Sequence, residues 1–174
     1  NQDVSIINTL IKLQSESKIG QNIQLFVRFP PNDYVDTKGI TDVSKVIMYQ
    51  PGIRFSSKRG IDWDMSDEDI KLLHDTLYWS SVIICPWSSL SVDASVVDRP
   101  VININFGDPG SFVKDNITLY YESDHYRKVL VHGGIRLVKD ADELATWINK
   151  YINNPGLDAE GRRRIALEQG YNWT

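Results

Sequence analysis

Cysteine pairs, long apolar runs and an excess of positive charge are all missing from this sequence. A single cysteine, Cys85, excludes an internal disulfide framework. Three scattered histidines and that one thiol give no metal-ligand spacing. There is no Gly-x-Gly-x-x-Gly, no P-loop and no serine in a Gly-x-Ser-x-Gly elbow. No apolar stretch approaches the ~20 residues that cross a bilayer as a helix. Asp plus Glu outnumber Lys plus Arg by 23 to 19, a net charge of -4, which argues against a polyanionic partner such as nucleic acid. The five tryptophans are dispersed, so they make no base-stacking platform.

What is present suits a soluble domain: 174 residues, 41% hydrophobic and 24% charged. Helical spacing of Ile6, Ile7, Leu10, Ile11 and Leu13 predicts a helix from Val4 to about Glu16, with Gly20 just past its end. Ile23 to Phe29 and Lys45 to Gln50 read as strands, each stopped by proline. Ile53 to Asp64 is polar and Gly-punctuated. Ser66 ahead of Asp67, Glu68 and Asp69 marks the start of a helix running to about Trp79. Val82 to Cys85 is a short apolar strand, Leu90 to Val97 a helix, and Val101 to Phe106 a strand. Ile117 to Tyr121 and Ile135 to Val138 are further strands. Ala141 to Ile152 and Asp158 to Gln169 are closing helices.

Short apolar strands alternating with helices predict an α/β fold, a three-layer α/β/α Rossmann-like parallel sheet. Ligands of such sheets lie beyond the carboxyl ends of the strands. The loops to read are therefore Pro30 to Asp33, Gln50 to Arg59, Pro86 to Ser91 and Gly107 to Ser111.

The segment ICPWSSLSVDASVVDRPVININFGD, Ile84 to Asp108, is the most informative. Ser88 and Ser89 stand where a helix begins, so unpaired N–H groups and two hydroxyls suit a phosphate or diphosphate. Asp93, a little over one turn on, suits ribose hydroxyls. The same residues equally serve as an N-cap and a solvated helix carboxylate.

This segment resembles the donor-nucleotide motif in the C-terminal half of GT-B-type glycosyltransferases, close to the bacterial surface-polysaccharide and CDP-glycerol glycerophosphotransferase-like families. Ser88, Ser89, Asp93, Ala94 and Pro100 stand in that family's order. Val27 to Asp33 (VRFPPND) resembles its Arg-x-His-Pro segment, with Pro30 in place of the histidine. The stretches leading into the motif and ending the chain, SDEDIKLLHDTLYWSSVIIC and GGIRLVKDADELATWINKYINNP with GRRRIALEQ, are similar as well. Trp87 replaces the frequent Tyr or Thr before the serines.

The resemblance implies that residues 1–174 are a single nucleotide-sugar-binding domain, a fragment of a larger two-domain transferase whose N-terminal acceptor domain is missing. The donor is a nucleotide-activated sugar or CDP-polyol and the acceptor a surface glycan. No metal or other cofactor, no nucleic acid and no membrane span are expected. The location is the cytoplasm, with the full-length protein peripheral to the inner face of the membrane. Ser88 and Ser89 would bind phosphate, Asp93 ribose, and Arg28 the transferred group or developing negative charge, unless Arg28 pairs with Asp33. Arg54, Lys58 and Arg59 would close over the diphosphate, and His125 with Arg127 belongs to a His-Tyr-Arg element that contacts donor. His132, ahead of Gly133-Gly134, is a candidate of the same kind, while His74 and Cys85 are packing residues. The base, the sugar and the catalytic residues stay open. Two alternatives remain at this point, a nucleotide-sugar 2-epimerase-like enzyme and a non-catalytic Rossmann-like interaction domain.

Overall fold

The protein is described by a computed structural model, and the structure covers residues 2–33, 35–55, 62–107 and 119–170. The chain divides into two compact units, Asn1–Asp75 and Thr76–Thr174.

The first unit opens with α1 (Gln2–Ser15), which buries Val4, Ile7, Leu10 and Ile11 along one stripe, as its 3.6-residue period requires. The helix ends at Ser15, close to the expected Glu16, and the chain is turned out not by Gly20 but by Ser17, which takes a left-handed conformation (φ 57°) while the Lys18 N–H returns to the Leu13 carbonyl. That bond closes the end of the helix in the manner usually left to glycine. Buried Gln14 then donates to the Ile23 carbonyl at 2.7 Å, fixing the entry to β1 (Leu25–Arg28). β1 pairs in parallel with β2 (Val46–Tyr49), Leu25 opposite Val46 and Arg28 opposite Tyr49. The polar stretch beyond Pro51 contains an antiparallel pair that hydropathy does not reveal, β3 (Ile53–Arg54) with β4 (Trp63–Asp64). Helix α2 (Asp67–Trp79) follows the predicted cap: Ser66 Oγ accepts from the Asp69 N–H at 3.1 Å.

The second unit is built on a three-stranded parallel sheet in the order β5-β6-β7, from β5 (Ile83–Cys85), β6 (Val101–Ile104) and β7 (Ile135–Val138). Every residue of central β6 is buried, which explains its unbroken apolar run save for Asn103. Helices α3 (Leu90–Val96), α4 (Asp124–Leu130), α5 (Ala141–Asn153) and α6 (Ala159–Ile165) accompany it, and a wide π-helical turn (Ala166–Gly170) closes the described chain. α5 lays Leu144, Ala145, Ile148 and Tyr151 against β6 and β7. Its start is capped by Asp140, which accepts from the Glu143 N–H at 2.8 Å.

The expected α/β class with parallel strands flanked by helices holds at this level. The sheets themselves are smaller than expected, since the parallel strands form a pair and a trio rather than one continuous ladder. The strand expected over Ile117 to Tyr121 is corrected: residues 119–121 form a helical turn, and its first two positions lie outside the described residues. Packing overrides β propensity here. The Tyr120 ring stacks on Trp87 with centroids 4.2 Å apart, and the buried Tyr121 hydroxyl donates to the Ile104 carbonyl at 2.8 Å.

A close backbone approach locks α6 to the turn before β7. A Cβ on Gly161 would stand 2.6 Å from both Gly133 C and the His132 carbonyl oxygen, and closer still to the Gly134 nitrogen. A Cβ on Gly134 would collide with the backbone of Gly161 and Arg162. Next to this contact Arg162 is wholly buried and spends its fork on three acceptors: Asp98 Oδ1 at 2.8 Å, the Leu157 carbonyl at 2.6 Å and the Pro155 carbonyl at 2.9 Å. The Arg-rich helix thus holds one structural arginine, while Arg163 and Arg164 face solvent. Arg136 and Tyr151 both hold Asp158, through Nε at 2.7 Å and the hydroxyl at 2.7 Å.

Candidate functional site: the serine turn after β5

β5 runs out at Cys85, and Pro86 to Ser89 turn the chain into α3. The turn is tight. Ser91 N–H bonds the Ser88 carbonyl at 3.1 Å, Val92 N–H bonds the Ser89 carbonyl at 2.8 Å, and Leu90 N–H bonds Ser88 Oγ at 3.2 Å. Ser88 N–H lies 3.4 Å from the Tyr126 hydroxyl. The sequence expectation of several free amides is therefore corrected: the turn consumes most of them internally. Among the described residues, what stays open is the Ser89 N–H, the exposed Ser89 hydroxyl and the proton of Ser88 Oγ, whose oxygen is already an acceptor. With only seven residues in α3, the helix dipole adds little, and recognition falls on these groups.

Asp93 sits on the exposed side of α3, four residues after Ser89, and its amide bonds the Ser89 carbonyl at 3.2 Å. The surrounding protein nudges its carboxyl upward by desolvation. Its carboxylate has no partner among the described residues, so Ser89 and Asp93 share one open edge of the turn.

Beneath the turn lies a polar network that the sequence did not announce. Asn103, in the middle of β6, is wholly buried, and its Nδ2 donates to Ser91 Oγ at 2.9 Å and to the Cys85 carbonyl at 3.2 Å. Its Oδ1 accepts from the Tyr126 hydroxyl at 2.7 Å, and that hydroxyl is 3.0 Å from Ser91 Oγ. Cys85 Sγ completes the cluster 3.4 Å from Ser91 Oγ, and burial pushes the thiol up to about 11, which leaves it a poor nucleophile. Such groups are costly to bury unpaired, and here each finds partners. Burial also raises the Tyr126 phenol above its ordinary value, so it acts as a neutral donor and acceptor.

An aromatic wall adjoins the turn. Trp87 is parallel to Tyr120 within 3° and meets Tyr121 edge-on, and Tyr121 meets Tyr126 edge-on at 5.3 Å. Of the expected His-Tyr-Arg element on α4, His125 and Arg127 point into solvent on either side of buried Tyr126. Successive helical residues turn by about 100°, so only the central one faces the sheet. The tyrosine is the member that reaches the serine turn.

Arg28 and Arg54 belong to the first unit. Arg28 donates through Nη2 to the Asp69 carbonyl at 3.2 Å and lies 5.9 Å from the centre of the Tyr49 ring. Desolvation lowers the guanidinium's pKa, and its buried Nε finds no acceptor among the described residues. Beside it the Asp69 carboxylate gathers the Tyr49 hydroxyl, the Gly52 and Ser66 amides and Ser66 Oγ, which hold it below the usual carboxylate range, the Tyr49 bond foremost. Arg54 is half-buried in β3. Lys58, Arg59 and most of the Gly107 to Ser111 loop lie outside the described residues. His132 Nε2 lies 2.5 Å from a Glu168 carboxylate oxygen but out of line for a hydrogen bond, and His74 is exposed beside Asp75.

Among the described residues no group of three or more His, Cys, Asp and Glu side chains is placed to hold a metal ion. No described helix is long and apolar enough to cross a membrane. Searches of protein-family profiles, curated proteins and solved structures found no match to this chain.

Proposed function

We propose that the second unit binds the diphosphate of a nucleotide-activated donor at the Ser88–Ser89 turn, as the donor-binding half of a GT-B-type glycosyltransferase that transfers a sugar or polyol phosphate to a surface glycan. The observation that carries this reading is the pairing of open donors with an open carboxylate on one edge of an internally hydrogen-bonded turn, at the carboxyl end of a parallel strand. The Ser89 N–H and the two hydroxyls suit phosphate oxygens, and Asp93 suits ribose hydroxyls. In transfer, the same donors steady the negative charge that builds on the departing diphosphate. Arg28 stays outside this assignment, because its guanidinium is engaged with Asp69 and Tyr49 in the first unit.

The internal use of most turn amides favours a second reading, an interaction domain that keeps the scaffold without binding donor. Thermal unfolding with CDP, UDP and GDP separates the two. A ligand at 100 times its Kd stabilises the native state by about 2.7 kcal/mol, a rise of roughly 5–10 °C for a chain of this size. No shift with any of the three at millimolar concentration leaves the interaction domain standing.

A further inference from the structure

The Tyr126 hydroxyl has one proton and two lone pairs, and the second unit uses all three. Its proton goes to Asn103 Oδ1 at 2.7 Å, one lone pair faces Ser91 Oγ at 3.0 Å, and the other faces the Ser88 N–H at 3.4 Å. The orientation of each partner follows. Ser91 Oγ receives Asn103 Nδ2 at 2.9 Å, so its own proton is free to point at Tyr126. Asn103 spends its remaining Nδ2 capacity on the Cys85 and Pro86 carbonyls at 3.2 and 3.4 Å. One phenol thereby joins β6, α3, α4 and the turn leaving β5.

We infer that Tyr126 is the positioning residue of the serine turn: its hydroxyl, oriented by Asn103 and Ser91, draws the Ser88 N–H inward and so sets the outward direction of the Ser88 and Ser89 donors that meet phosphate. This rests on the reading of the turn as the donor's diphosphate site. The longest of the three bonds is the one to Ser88. Nothing about Tyr126 requires contact with the ligand; its ring is buried among Tyr121, Trp87, Leu130 and Leu137. The neighbouring Tyr121 supplies a matched contrast, because its hydroxyl bonds the Ile104 carbonyl and leaves the turn alone.

The test is calorimetric titration of the whole chain with CDP and UDP, well below each variant's unfolding midpoint, for the wild type, Tyr126→Phe and Tyr121→Phe. Both variants keep the ring and lose one hydroxyl, so both lower Tm. Tyr126→Phe alone weakens nucleotide binding, by about five-fold, the effect of one lost hydrogen bond. A purely structural role for Tyr126 lowers Tm and leaves Kd unchanged, which overturns the inference while the nucleotide site stands. Equal weakening by both variants also overturns it, since the cluster's packing would then be the cause. If the wild type binds neither nucleotide, the reading of the site fails and the inference falls with it. Should Tyr126→Phe not fold, Ser91→Ala removes the hydroxyl that orients it and carries the same expectation of weaker binding.

Discussion

Replacing Gly161 by alanine sets two physical effects of opposite sign against each other. Gly161 lies inside α6, where alanine ordinarily stabilises a helix by about 1 kcal/mol. The added Cβ would, however, come within 2.6 Å of Gly133 C and the His132 carbonyl oxygen and still nearer the Gly134 nitrogen. All three are backbone atoms, so no rotamer change relieves the overlap, and α6 must move away from the turn before β7. Overpacking costs about 1–3 kcal/mol where side chains share the strain; with only backbone to give, the upper end applies. Subtracting the helical gain leaves a net loss of roughly 2 kcal/mol, or about 4–8 °C in Tm for a chain of this length. Gly156→Ala is the control, since its Cβ meets only Asn154 Oδ1 at 3.4 Å, an ordinary contact. Urea and thermal unfolding followed by circular dichroism measure both. A Gly161→Ala protein as stable as the wild type, or more so, refutes the close approach of α6 to residues 132–134.

Arg162→Lys loses the planar fork that serves Asp98, Leu157 and Pro155 and should cost roughly 2–4 kcal/mol in urea unfolding, whereas exposed Arg163→Lys should be close to neutral. Cys85, buried with its pKa raised to about 11, should react with a thiol reagent in the native protein only at the rate of unfolding, and immediately in denaturant. For Asp158, desolvation raises the carboxyl's pKa, but the bonds from Arg136 and Tyr151 outweigh it and the net shift is downward. A depressed carboxylate contributes stability above its unfolded value and loses it as pH falls through the folded one. Asp158→Asn, well suited to the left-handed φ of 62° at this position, should therefore lower stability at neutral pH and flatten the loss below about pH 4 expected of the wild type.

Periodicity made the strong elements legible in the sequence. The stripes of α1 and α5, the Ser66 cap and the apolar runs of β5, β6 and β7 all fall where the spacing put them. Local chemistry was less visible. Ser17 takes the left-handed cap three residues before Gly20, and a serine there carries no signal of the kind a glycine gives. β3 and β4, two residues each, are too short to show alternation, and the tyrosines of 119–121 obey an aromatic stack rather than their β propensity. At the site, the serines and Asp93 were readable as polar residues at a strand end. Tyr126 carries a signal of its own in the sequence: on a seven-residue helix that buries Tyr126 and Val129, the apolar i and i+3 positions mark the inward face and leave His125 and Arg127 outside it. Asn103 offered a similar clue, a lone amide in an apolar run, which must bring its hydrogen-bond partners with it. The contact of Gly134 with Gly161 spans 27 positions and carries no local signature.

Where a nucleotide lands on the protein is the most direct test of a diphosphate site at the serine turn. Titrating an isotopically labelled protein with CDP and UDP while following backbone amides should move the Ser88, Ser89 and Leu90 signals first and furthest, with Asp93 following, and Ser88→Ala with Ser89→Ala should abolish the response. Amides of the serine turn that stay still while signals elsewhere move, or no signal moving at all, would contradict a diphosphate site at the end of β5.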